Sequence, residues 1–260
     1  MDALLSITGV SVRFGGVNAL ADVGFDVPQG ALLGLIGPNG AGKTTMMRAV
    51  TGMVRPQAGS IVLDGVEISR LPTHRRVRLG LGLSQQIVRP FAGMTAAENV
   101  ALAAGYAKTA DPLRALATAS RDAERERART LLDLVGIADA ADALPAELPL
   151  GYLKRVEVAR ALALDPKVLL LDEPLAGLNT GEAARLADTV VDLNRQGTTV
   201  VLIEHNLSEV MRVCRHLVVL DNGRKIGDGD PAEVMADPAV RDAYLGAPKE
   251  GSGEARHAAA

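Results

Sequence analysis

Two kinds of apolar pattern alternate along the chain. In Leu4–Val12 and Val17–Val27 apolar residues recur at loosely alternating positions, broken by Gly15-Gly16, as in a hairpin leading toward a third strand. Ala31–Ile36, Lys167–Leu171 and Thr198–Ile203 are compact apolar runs. The last two suit strands buried on both faces. Ser60–Leu63, Gly80–Ser84 and Leu217–Leu220 read as further short strands, the first closed by Asp64-Gly65. Asp221-Asn222-Gly223-Arg224 carries the Asn-Gly signal of a type I′ hairpin turn. Between these runs the spacing turns helical. Met46–Val50 continues without breakers, and Pro72–Arg78 has proline in its first turn. Gly151–Leu164 spaces Leu153, Val156, Ala159 and Leu162 for one buried face, and Thr180–Arg195 and Leu207–Cys214 follow as helices.

From about Thr95 to Leu148 the strand signals stop. Ala96–Lys108 and a longer stretch within Leu113–Val135 predict helices. Arg121–Arg129 reads as a solvated face, with Glu124 and Arg127, and Glu126 and Arg129, sharing it three residues apart. Leu131, Leu132, Leu134 and Val135 turn inward. The arginines at 75, 76 and 78 likewise read as a solvated helix face, since no aromatic residue interleaves with them. The pattern predicts one α/β domain over residues 1–248, its mostly parallel sheet flanked by helices. An antiparallel β subdomain is expected at the N-terminus and a helical subdomain inserted at about 95–150. Residues 249–260, rich in Gly, Ser and Ala, are expected to be disordered.

Composition narrows the classes. Of the 260 residues 48% are hydrophobic, yet there are three Phe, three Tyr and no Trp, so the core must be built from Leu, Val, Ile and Ala. That argues against a protein that stacks on bases, and a net charge of -3 gives no reason to expect a polyanion. Cys214 is the single cysteine, which leaves no intrachain disulfide or cysteine-based zinc site and fits a reducing compartment. The N-terminus lacks the pattern of a signal peptide. No apolar run approaches the roughly 20 residues that span a bilayer, and the expectation is a cytoplasmic protein.

The chemistry concentrates at Gly37-Pro38-Asn39-Gly40-Ala41-Gly42-Lys43-Thr44-Thr45, which fits G-x-x-x-x-G-K-[ST] between an expected strand and an expected helix. That order aims backbone N–H groups and the positive end of a helix at one point, where phosphates bind. Lys43 would reach the β- and γ-phosphates, and Thr44 would offer its hydroxyl to Mg²⁺. A Gly-rich turn closed by a surface lysine is the plain alternative. A second site follows Val168-Leu169-Leu170-Leu171, where Asp172-Glu173-Pro174 ends a buried strand. Ligand sites of open α/β sheets lie at that edge. Asp172 would hold Mg²⁺ through water, and Glu173 would orient the attacking water. Phosphoryl transfer needs metal, positive charge and an aligned nucleophile more than covalent help.

With these motifs in this order, the chain resembles the ATP-binding cassette family of phosphate-loop NTPases from about Leu4 to Leu220. The resemblance implies roles for further residues. Gln86 matches the glutamine that senses Mg²⁺ and the attacking water. His205, in Leu202-Ile203-Glu204-His205, matches the switch histidine at the γ-phosphate. Leu175-Ala176-Gly177-Leu178-Asn179 takes the D-loop position, and Phe14 becomes the platform for adenine. The signature, commonly Leu-Ser-Gly-Gly-Gln, falls on Leu148-Pro149-Leu150-Gly151-Tyr152. In the family it touches the ATP of the opposite subunit, so Pro149, Leu150 and Gly151 would act in trans. Pro149 lacks the serine hydroxyl and a backbone N–H, and a lost charge-assisted bond is worth roughly 1.5–3 kcal/mol. Asn179 stands where the D-loop usually has Asp.

Arg13-Phe14-Gly15-Gly16, Gln86-Ile87-Val88-Arg89-Pro90-Phe91 and Ala243-Tyr244-Leu245-Gly246 resemble ATP-binding subunits of branched-chain amino-acid importers. The resemblance implies ATP and Mg²⁺ as cofactors and a second cassette as partner. It implies integral-membrane permeases docking at Ile87–Glu98 (Phe91 and Met94 as apolar contacts), indirect dependence on a solute-binding protein, and a place on the inner face of the membrane. A soluble cassette acting on nucleic acid or ribosomes is the alternative, but the basic stripe it needs is missing. A GTPase would carry N-K-x-D, which does not occur.

Overall fold

A computed structural model describes residues 3–84, 89–106 and 121–245. The expected hairpin forms from β1 (Ala3–Phe14) and β2 (Val17–Pro28), with Phe14 paired to Val17 across Gly15-Gly16. With β4 (Ala58–Leu63) and β5 (Val66–Glu67) it makes a four-stranded antiparallel sheet of order β2-β1-β4-β5.

The second sheet has six strands, in the order β10-β9-β3-β8-β7-β6. These are β3 (Leu32–Ile36), β6 (Leu81–Ser84), β7 (Val168–Asp172), β8 (Thr199–Ile203), β9 (His216–Asp221) and β10 (Arg224–Gly229). All pair in parallel except β10, which folds back on β9. Every residue of β3, β7 and β8 is buried, as their unbroken apolar runs require. The turn Asn222-Gly223 has φ 44 and 74, the pair of positive values a type I′ turn demands.

Strand alternation splits the interior in two. Leu33, Leu35, Leu170, Val201 and Val218 point to one face, where they meet the antiparallel sheet and helix α1 (Lys43–Thr51). Leu169, Leu171, Val200, Leu202 and Leu217 point to the other. There they meet α3 (Ala96–Ala104), α4 (Asp122–Leu134), α5 (Leu150–Leu162), α6 (Thr180–Arg195) and α7 (Leu207–Val213). The helices α2 (Thr73–Arg78), α8 (Pro231–Ala236) and α9 (Pro238–Leu245) complete those described.

Three expectations need correction. Arg76 is not on a solvated face: it is 1% exposed and donates to the carbonyls of Ala49 (2.6 Å), Val50 (2.8 Å), Leu71 (2.8 Å) and Ser69 (3.0 Å). A guanidinium has enough fixed donors to close the carboxyl end of α1, which carries negative dipole charge. Arg75 and Arg78 remain exposed. On α4, Glu124 is buried, while Arg127 pairs with Asp165 and Arg129 with Asp142 at 3.0 Å. These charges reach neighbouring segments of the chain. Finally, α5 buries more than one face, because it lies among α3, α4, α6, β6 and β7. Lys154 and Glu157 are inside, and Leu153 is only partly covered.

Candidate nucleotide site

The phosphate-loop motif lies between β3 and α1. Gly37, Gly40 and Gly42 have φ of 150, 83 and 105. A Cβ on Gly37 would fall 2.1 Å from the Leu220 carbonyl oxygen, and one on Gly42 2.7 Å from that of Ala19. The loop is therefore wedged between β9 and β2. The hairpin turn braces it from one side: Gly223 N–H donates to Ala41 O at 3.0 Å, and Ala21 N–H to Gly223 O at 2.8 Å. Asn39, Gly40 and Thr44 face solvent, and Thr45 is partly covered. Lys43 is buried, with Nζ donating to the carbonyls of Gly37 (2.6 Å) and Pro38 (3.1 Å). Burial pushes its pKa down, opposed by the charges of Glu173 and then Asp172.

Asp172 ends β7, the second strand from β3 across β8. It is 8% exposed, and burial raises its pKa, with the Glu173 charge adding and Arg48, Lys154 and Lys43 opposing. A buried carboxylate held above its ordinary range is one that a cation would stabilise. Among the described residues no group of three His, Cys, Asp or Glu could hold a metal. Mg²⁺ keeps several waters and takes only one or two protein ligands beside phosphate oxygens. Thr44 and Asp172 fit that role.

Glu173 has φ 48, left-handed for a residue that is not glycine. Its N–H donates to Ile203 O at 2.9 Å. The His205 Nδ1 lies 3.9 Å from Glu173 Oε1 and 3.9 Å from Glu204 Oε2, with the imidazole side chain 56% exposed.

Two charged residues that the sequence did not single out stand behind this edge. Glu204 is fully buried; its Oε1 accepts Leu175 N–H at 2.8 Å and its Oε2 accepts His205 N–H at 3.3 Å. Burial raises its pKa against those bonds. Lys154 of α5 is 5% exposed and donates to the Glu173 carbonyl at 3.1 Å. Burial lowers its pKa, and Glu204 supplies the largest opposing charge. A lysine amid the apolar spacing of α5 was the available signal.

At the start of α5, Pro149 is the N-cap residue without a side-chain bond, and its carbonyl accepts N–H of Tyr152 (3.0 Å) and Leu153 (3.1 Å). Leu150 is 43% exposed, and Gly151 faces Glu182 and Leu178. Asn179 is the N-cap of α6 and forms a capping box with Glu182.

A family model described as "ABC transporter" matches residues 20–176. The chain belongs to the ABC transporter family. It is an ATP-binding cassette, and such cassettes are ATPases that power transport. A model described as "Branched-chain amino acid ATP-binding cassette transporter" matches residues 224–250. Among relatives, the high-affinity branched-chain amino acid transport ATP-binding protein BraF of Pseudomonas aeruginosa is 38% identical over 249 residues, covering 94% of this chain and 98% of BraF. LivG of Escherichia coli K12, with the same description, is 35% identical over 254 residues at 94% and 98% coverage. The lipopolysaccharide export system ATP-binding protein LptB of Haemophilus influenzae is 35% identical over 244 residues, again at 94% and 98%. In structure, the ADP conformation of MJ1267, an ATP-binding cassette of an ABC transporter, superposes with a TM-score of 0.83 at 28% identity, covering 95% of this chain and all (100%) of that one.

The cassette thus brings Lys43, Asp172, Glu173 and His205 to one edge of the parallel sheet. Phe14 is half exposed at the hairpin tip, at the end of β1. Leu150 and Gly151 pack at the D-loop and the start of α6, where Leu150 lies beside Gly177 and Gly151 faces Leu178 and Glu182. Gln86, Ile87 and Val88 fall outside the described residues, as do 249–260.

Proposed function

We propose that the cassette hydrolyses ATP to drive uptake of branched-chain amino acids or related small solutes through separate permease subunits. The match of residues 224–250 to the branched-chain model carries the cargo class, and the names of BraF and LivG agree with it. LptB has similar identity, so the common core alone does not select the cargo.

In this reading Phe14 stacks on adenine, the 37–45 loop wraps the phosphates, and Lys43 exchanges its loop carbonyls for phosphate oxygens. Thr44, Gln86 and Asp172 would hold Mg²⁺, which when bound would supply charge neutralisation at the phosphates. Glu173 orients a water whose oxygen bonds to the γ-phosphorus as the bond to the bridging oxygen breaks, leaving ADP and phosphate. His205 contacts the departing γ-phosphate. A second cassette supplies its signature, as Pro149, Leu150 and Gly151 do in return. Residues 1–248 act as one ATPase domain, with 95–150 as its helical arm.

The permease is received at the Ile87–Glu98 segment on the inner face of the membrane, and a solute-binding protein delivers cargo to it. Support lies in the loop at Phe91, within the described part of that segment. Phe91 is 49% exposed, yet its loop is pinned by the buried Asn99, which accepts Phe91 N–H at 2.8 Å and donates to Met94 O at 3.0 Å. Arg160 lies 5.4 Å over the Phe91 ring. Among the described residues no helix is long and apolar enough to cross a membrane.

The test of mechanism is Glu173→Gln: ATP binding should persist while turnover nearly vanishes, and surviving turnover would refute the assignment. The test of cargo is ATP-dependent uptake of labelled leucine by vesicles holding the complete transporter.

A further inference from the structure

Glu173 needs outside help to stay where it is. A non-glycine residue in the left-handed region, as Glu173 is at φ 48, is strained and persists only where its surroundings over-determine it. Here the surroundings are unusual. The Glu173 carbonyl accepts from Lys154 Nζ at 3.1 Å and from Ala176 N–H at 3.2 Å, while its N–H is taken by Ile203. Two residues on, Leu175 N–H is held at 2.8 Å by Glu204. The turn Glu173-Pro174-Leu175 is therefore gripped by an ammonium on one side and a carboxylate on the other, both almost wholly out of water.

We propose that Lys154 and Glu204 are a pair of positioning residues that fix the Glu173 backbone and so aim its carboxylate at the attacking water. The inference rests on the reading of Glu173 as the water-orienting group. As packing alone the two buried charges have little to recommend them, since apolar side chains of similar volume are often as stable as buried charged groups. What apolar side chains cannot do is hold one particular carbonyl and one particular N–H. Glu204 also accepts the main-chain N–H of His205, so the same carboxylate sets the base of the proposed γ-phosphate contact. Lys154 sits one turn beyond Gly151 on α5. The helix that presents the signature to a partner's nucleotide is thereby fastened to this subunit's own Glu173. A shift of α5 on dimer closure would be felt at that residue directly.

The experiment compares steady-state ATP hydrolysis, ATP affinity and thermal unfolding of the full-length cassette with its Lys154→Met, Lys154→Gln, Lys154→Arg and Glu204→Gln variants, with Glu173→Gln as control. Loss of a hydrogen bond to a charged donor predicts a fall in kcat of about 10- to 100-fold for Lys154→Met, with ATP affinity little changed. Lys154→Arg should recover most of the rate. Lys154→Gln keeps a donor without the charge and should fall between; it is also the variant to read if Lys154→Met does not fold. Glu204→Gln should lower kcat, and the double change Lys154→Gln with Glu204→Gln should lose less than the product of the single losses. Parent-like kcat in folded Lys154→Met or Lys154→Gln, beside an inactive Glu173→Gln, overturns the clamp alone. A rate loss that follows lost affinity and lost folded fraction in every variant also overturns it. Turnover surviving in Glu173→Gln overturns the underlying reading of that residue.

Discussion

Arg76 illustrates what single residues hide. Its sequence neighbours are other arginines, and nothing in their spacing distinguishes it from them. The distinction is made by the carboxyl end of α1, whose Ala49 and Val50 carbonyls it closes from a different part of the chain. Arg76→Met should therefore destabilise the protein by about 2–4 kcal/mol through orphaned buried carbonyls, read as a lower urea midpoint, whereas Arg75→Met should be nearly silent. The loop glycines differ among themselves in the same way. Gly40 has open space where a Cβ would go, while at Gly37 a Cβ would meet the Leu220 carbonyl. Gly40→Ala should cost roughly 1 kcal/mol for its left-handed backbone. Gly37→Ala should prevent the loop from closing, and the two melting curves with and without ATP separate the cases.

At the scale of elements the sequence was largely legible, because short apolar runs and helical spacing are read by the same physics that buries them. Thr180–Arg195 is the helix its pattern predicts, residue for residue. The turn at Asn222-Gly223 takes the backbone its dipeptide demands. Where legibility failed, the cause was surroundings. Spacing on α5 predicts one buried face, but a helix enclosed by α3, α4, α6 and two strands buries several, and Lys154 lies on one of the extra ones. Asn179, which departs from the family's usual D-loop residue, has a local duty as the cap of α6. Asn179→Asp should leave stability nearly unchanged and Asn179→Ala should cost about 1 kcal/mol, measured by denaturant titration. A larger loss for Asp would show that the cap is not what Asn179 does.

For the whole molecule, the parallel sheet is the member both cores share, and Cys214 lies in the core on its helical side. Gly34 of β3 leaves the room: a Cβ there would stand 3.1 Å from the Cys214 sulfur. Burial, with the Glu204 charge second, pushes the thiol from an ordinary 9.0 up to about 12. A raised folded-state value means that the native state keeps its proton longer than the unfolded chain does. The stabilisation is complete below about 9.0 and is lost as pH climbs through about 12. The stability gap between the parent and Cys214→Ala should narrow across that window. At neutral pH, alkylation of Cys214 should proceed only at the rate of global opening. A lone cysteine is plain from composition; its depth came only with the assembled sheet. The composition of the active edge was legible in the same partial way. The carboxylates and the loop lysine announce themselves by motif, whereas Lys154 and Glu204 become visible only when α5 is laid against β7 and Glu204 closes on Leu175.

The Asn222-Gly223 turn also governs how the protein ages chemically. Asn-Gly pairs deamidate when the glycine nitrogen attacks the asparagine side chain and closes a succinimide ring. In Asn222-Gly223 that nitrogen is engaged with the Ala41 carbonyl, and the asparagine amide donates to Asp221 at 3.0 Å. The folded cassette should keep Asn222 intact through long storage, and a denatured sample should lose it quickly. Mass spectrometry of the peptide that contains it would then serve as an internal clock for time spent unfolded.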